Sequence, residues 1–198
     1  MRFLLKSLTL LSSIAVVCGV DNDAAFKAKP AASYSGHQTN SSVTIGAEVY
    51  NTEQEVKAAF GKLKPSKHGV LPVLVVMQND SKQTLQLQDM KVEYIRPDGR
   101  TLPAIPPSDI PYLKGVEKPR TAPPTYPQIP GLGKKKNPLD AWEIGGRAFS
   151  AKMLPPGESA HGFFYFQTAD HRTAKLYVTG MKEAATGQEL FYFEIPLE

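Results

Sequence analysis

Apolar residues along this chain fall into short runs that alternate with polar ones, the period of strands half-buried in a sheet. Val43, Ile45 and Ala47 alternate with Thr44, Gly46 and Glu48, which predicts a first strand from about Ser42. Residues 70–77 are apolar on both faces, the mark of a central strand covered on both sides. Asn79, Asp80 and Ser81 end that run with turn formers, and Leu85 and Leu87 resume the alternation. Residues 90–96 predict another strand, running into the turn Pro97, Asp98, Gly99, Arg100. Residues 160–167, 174–178 and 189–195 form a second cluster, and in the last of these Phe191, Phe193 and Ile195 share one face while Tyr192 and Glu194 share the other. One segment has a helical pattern instead. Thr52 and Glu55 have capping-box spacing, Val56 and Phe60 lie four apart, and Gly61 closes the run, predicting a helix over 53–60 that covers one end of a sheet.

About seven short strands joined by tight turns, with little helix, pack most simply as an all-β, two-layer antiparallel sandwich. Val73, Val75, Phe163, Tyr165, Phe191 and Phe193 are its expected core. Burying each aromatic ring contributes roughly 1.5–3 kcal/mol.

The N-terminus follows a different rule. Residues 1–6 are basic, residues 7–17 form an apolar run, and Asp21, Asn22 and Asp23 switch the chain to polar. This is the layout of a secretory signal, here residues 1–19, and its apolar run is too short for a permanent membrane span, which needs about 20 residues. Cys18 is the only cysteine, so the expected domain has no internal disulfide. Its place at the end of the signal resembles the lipid-attachment residue of bacterial lipoproteins. The resemblance implies a membrane anchor through Cys18, and ordinary cleavage near Cys18 or Gly19 is the alternative, leaving a periplasmic or secreted protein. Residues 20–41 are small and polar without a period, and are expected to be a flexible tether to a domain over 42–198.

Residues 103–138 hold 10 of the 17 prolines. Proline at this density removes ladder donors, so the segment is a long proline-rich insertion and not a central strand. Asn137 as cap and Pro138 at the first helical position predict a short helix ending at Gly145 and Gly146, with Trp142 pinning the returning loop to the sandwich. A preformed extended segment loses little entropy on docking. Tyr112, Tyr126, Lys134, Lys135, Lys136 and Trp142 are therefore the candidate partner-binding residues.

The 198 residues carry 23 basic and 19 acidic side chains, and Arg2 and Lys6 of the signal account for half of the +4 excess. So even a balance argues against a nucleic-acid binder, whose affinity comes from neutralising many phosphates. Gly131, Gly133 and Lys134–Lys136 do not make a phosphate loop, because Gln128 stands where its first glycine belongs and no Ser or Thr follows the lysine. Attraction of this lysine run to anionic lipid or cell-wall polymer is the alternative.

Residues 157–161 resemble an esterase nucleophile elbow, with His161 in place of the second glycine and a strand in place of the helix that should follow. Ser159 and His161 are thus the candidates for a hydrolase reading. His37, His68, His161 and His171, with Met77, Met90, Met153 and Met181, supply soft donors for a metal carrier but show no ligand spacing, and no cofactor is expected. Asn40 and Asn79 each begin a glycosylation triplet that also reads as turn chemistry.

The order of export signal, tether, apolar strand ending in Asn79, Asp80 and Ser81, the turn at Pro97 to Arg100, and Leu154-Pro-Pro-Gly-Glu-Ser159 before an aromatic strand resembles the small exported immunoglobulin-like domains of bacterial envelopes. That likeness implies an immunoglobulin-like β-sandwich over 42–198 and no reaction. The expected function is a non-catalytic envelope protein that binds or scaffolds a protein or polymer partner.

Overall fold

The computed structural model describes residues 26–113, 137, 139, 142–168 and 172–197. From the N-terminal side, β1 (Gly36–Asn40) and β2 (Val43–Val49) form a hairpin, and α1 (Glu53–Phe60) follows. β3 (Leu71–Asn79), β4 (Leu85–Gln86), β5 (Lys91–Ile95) and β6 (Thr101–Pro103) precede the proline-rich region. After it come α2 (Trp142–Gly146), β7 (Met153–Leu154), β8 (Ser159–Phe166), β9 (Ala174–Thr179), β10 (Lys182–Glu183) and β11 (Phe193–Leu197). Among the described residues every strand pair is antiparallel, in two four-stranded sheets ordered β1-β2-β3-β8 and β11-β9-β5-β6, with a small sheet β10-β4-β7 beside them. The fold is an all-β antiparallel sandwich.

The doubly apolar run becomes β3, the interior strand with β2 on one side and β8 on the other. Its two faces serve two clusters. Leu71, Val73, Val75 and Met77 point between the sheets with Val92, Tyr94, Leu176 and Phe193, and the Tyr94 and Phe166 rings meet at 5.3 Å. Leu74 and Val76 point outward, where a helical layer covers them with Val56, Ala59, Phe60, Ile110 and Ile144.

α1 forms over the predicted residues. The Thr52 hydroxyl accepts from the Glu55 N–H, the Glu55 carboxylate accepts from the Thr52 N–H, and Gly61 at φ 61° ends it. It lies against the face of the first sheet and not its end, since Phe60 meets the ring of Phe163 at 4.8 Å.

Three further expectations are corrected. The tether over 20–41 does not hold from Phe26 onward: Ala31 and Tyr34 are buried and residues 36–40 are β1. A close approach explains the order. A Cβ on Gly46 would lie 2.3 Å from the Ala31 carbonyl oxygen, so a bare backbone in β2 lets the 3₁₀ turn Ala31–Ser33 settle on the sheet. Phe191 is 72% exposed instead of core, while the other five named core residues are buried. The Leu190 N–H donates to the Met181 carbonyl at 2.8 Å and Glu189 bridges Lys182, so the chain joins β9 only from Phe193. Finally, Trp142 is 72% exposed and pins nothing, whereas Leu139 and Ile144 are buried. Side chains two apart on a helix point about 200° apart, so burying Ile144 turns Trp142 outward.

The proline-rich excursion leaves and returns at one anchor. Asn137 Nδ2 donates to the Pro111 carbonyl at 2.7 Å, and its Oδ1 accepts from the Leu139 N–H at 3.0 Å. Pro138 lies outside the described residues, among which the helix is Trp142–Gly146. No helix among the described residues is long and apolar enough to cross a membrane.

Candidate functional site

Alternation along β8 places Ser159, His161, Phe163 and Tyr165 on one face, toward the helical layer. Phe163 and Tyr165 are buried there, while Ser159 and His161 lie toward the exposed start of the strand. α2 is fixed across this face by main-chain and side-chain bonds. The Tyr165 hydroxyl donates to the Ile144 carbonyl at 2.8 Å, the Phe163 N–H donates to the Arg147 carbonyl at 2.9 Å, and the Phe149 N–H to the Phe163 carbonyl at 3.1 Å. Gly162 permits the crossing, because a Cβ there would stand 2.4 Å from Phe149 Cα. Burial, and in a smaller opposing sense the nearby Arg147 charge, set the Tyr165 hydroxyl, whose pKa is raised well above the ordinary value.

Between α1, α2 and β8 a groove of about 550 Å³ opens, a size typical of ligand sites. Phe26, Trp142 and Phe163 give it aromatic walls, and Lys57, Arg147 and His161 bring nitrogen donors. Phe26 stands 5.5 Å from Phe163 and 6.2 Å from the His161 ring. The Trp142 indole lies against Gly146, where a Cβ would come within 3.1 Å of the ring and the ring would have to shift by a few tenths of an ångström to admit it.

Arg147 is the unusual member. Its guanidinium sits 5.5 Å over the Phe26 ring, and its buried Nε has no hydrogen-bond partner among the described residues. Glu143, one helical turn earlier, gives its main-chain carbonyl to the Arg147 N–H at 3.1 Å, yet Arg147 makes no ion pair among the described residues. Arg96 also has an unpartnered Nε, but Asp98 stands 3.6 Å from it.

Of the candidate partner residues, the structure places Trp142 on the groove and Tyr112, 42% exposed, on the turn Ile110–Tyr112 outside it. Tyr126, Lys134, Lys135, Lys136 and Cys18 lie outside the described residues. Ser159 and His161 share a face but are joined by no hydrogen bond, and neither meets a carboxylate among the described residues. His37 Nδ1 is paired with the Tyr34 carbonyl at 2.7 Å, and no group of three His, Cys, Asp or Glu side chains gathers among the described residues. His171 lies outside them. Phe26, Lys57 and Arg147 were not singled out by the sequence, since no spacing links positions so far apart in the chain.

No family model and no curated protein matches the chain. Among solved structures it is similar to the ApaA protein from Bordetella pertussis, at 12% identity over 83% of this chain and 92% of that one, with a TM-score of 0.36. It is also similar to MPT63, a secreted protein from Mycobacterium tuberculosis, at 12% identity over 84% of this chain and 95% of that one, with a TM-score of 0.32. Likeness at this level carries no functional argument, and the fold rests on the strand pairing described above.

Proposed function

We propose that the protein is a non-catalytic exported module of the bacterial cell envelope that binds a protein or polymer partner at the Trp142 groove. One observation carries this reading: the chain's single tryptophan is 72% exposed on the rim of an aromatic and cationic groove, although burying it would be favourable. Rigid aromatic anchors of this kind are what interfaces use. The export pattern of residues 1–19 supports an envelope address, with Cys18 as lipid anchor or the signal cleaved beside it.

Two measurements test the reading. A photo-crosslinking amino acid placed at Trp142 in native cells should capture a discrete partner, and one at exposed Lys91 should not. Equal capture from both positions, or none from Trp142, overturns the groove as the docking surface. Intact-mass analysis of the mature protein decides the address: a diacylglycerol adduct on Cys18 means an anchored lipoprotein, an unmodified truncated chain a soluble exported one, and an uncut chain overturns export.

A further inference from the structure

We infer that the groove receives an extended acidic peptide, which pairs its main chain with the open edge of β8 at His161, sets a carboxylate on Arg147 and lays an apolar side chain against Trp142. This rests on the reading of the groove as a docking surface and adds the chemistry of its occupant.

Three observations converge on it. β8 pairs β3 on one side only. On the other side the Phe163 N–H and carbonyl are taken by Arg147 and Phe149, and the Tyr165 carbonyl by Ile105. The same alternation turns the main-chain groups of Ser159 and His161 to that outer edge, where no backbone partner meets them among the described residues. An exposed strand edge is a template for another strand. His161 and Gly162 line the groove, so an added strand would run along it.

The second observation is charge. Among the described residues Arg147 has a buried Nε without a partner and no ion pair, while Lys57 lines the same groove and the only acid among its lining residues is Glu143. Buried donors are normally satisfied, and a guanidinium fork matches a carboxylate. The third is the indole of Trp142, one face against Gly146 and most of its surface bare. In an added strand alternate residues face the groove, so carboxylate and apolar side chain belong two positions apart. A sugar polymer would use the aromatic and the cation but would leave the strand edge without a purpose.

The single tryptophan makes the test direct, because its emission reports on the groove alone. The probe is the capped peptide Glu-Ala-Leu-Ala-Glu-Ala, titrated into the mature protein, with Lys in place of Glu as the charge-reversed control. The acidic peptide should change Trp142 emission saturably and slow exchange of the His161 amide. Affinity should fall at least about tenfold in Arg147→Gln and drop with added salt. Since Arg147→Gln also removes the contact with Phe26, a second probe leaves the protein untouched: the same peptide N-methylated at alternate amides should lose binding. Equal binding of the charge-reversed or N-methylated peptide, or binding of oligogalacturonate in place of the peptide, overturns the inference. Capture from Trp142 in cells without peptide binding sinks this inference alone; failure of both sinks the docking reading with it.

Discussion

The side-chain amide of Asn79 lies 2.9 Å from the Leu154 carbonyl, tying the end of β3 to β7 across the edge of the sandwich. The same amide donates to Gln83 at 2.8 Å, and its oxygen accepts from the Ser81 N–H and hydroxyl. Asn79 is fully buried and uses both ends. Asn79→Asp keeps the shape and loses both donors, so it should cost about 2–4 kcal/mol in urea denaturation. A midpoint equal to that of the parent protein would show that the network contributes nothing.

Alkaline pH should unfold the protein before its strands are otherwise weakened. Burial raises the hydroxyl pKa of Tyr165, and burial together with the Glu48 charge raises that of Tyr50. The folded state therefore holds these protons more tightly than the unfolded state does. That contribution is complete below the ordinary tyrosine value, about 10, and is lost as pH rises beyond it. Denaturation midpoints followed from neutral pH upward should fall above about pH 10. Tyr165→Phe, less stable at neutral pH for want of its bond to Ile144, should show a shallower alkaline decline. A decline as steep as the parent's would remove Tyr165 from the explanation.

Gly46→Ala should be costly even though it sits in an extended strand. Its Cβ would meet the Ala31 carbonyl oxygen at 2.3 Å and the Tyr34 ring at 2.8 Å. Overpacking of that kind costs about 1–3 kcal/mol and should release the segment before β1, read as faster amide exchange at Tyr34. Gly36→Ala makes the same test between the sheets, where its Cβ would fall 2.1 Å from the Pro196 carbonyl oxygen of β11.

The β1–β2 turn points the other way. Ser41 and Ser42 carry it with φ of 50° and 60°, a geometry that favours Asn and Gly. Ser42→Gly should therefore stabilise the protein by about 0.5–1 kcal/mol, measured as a raised urea midpoint. A lowered midpoint would mean that the serine makes up for its strain in the native state.

Local chemistry was legible wherever neighbours in sequence decide the structure. The reciprocal bonds of Thr52 and Glu55 and the two-faced run of β3 needed only positions a few residues apart. β1 was hidden because its sequence, Gly36 to Asn40, is nearly all polar, as an edge strand can be. Phe191 misled because alternation continues past the point where pairing stops, and the contact that stops it, Leu190 on Met181, is tertiary. The groove was least legible: Trp142 was read as a pin for the returning loop and as a partner-binding residue, but Phe26, Lys57, Arg147 and His161 meet only through the way α2 crosses β8. Asn79 was visible as a turn former, and its complete burial was not.

β3 gives one face to each hydrophobic cluster, so the layer behind the groove and the space between the sheets have a common wall. Melting either cluster strips support from the other, which couples them into one cooperative unit. A ligand held at the groove therefore insures residues it never touches. Saturating the groove should raise the unfolding temperature reported by Tyr94 or Phe193, on the far sheet, by as much as that reported by Trp142.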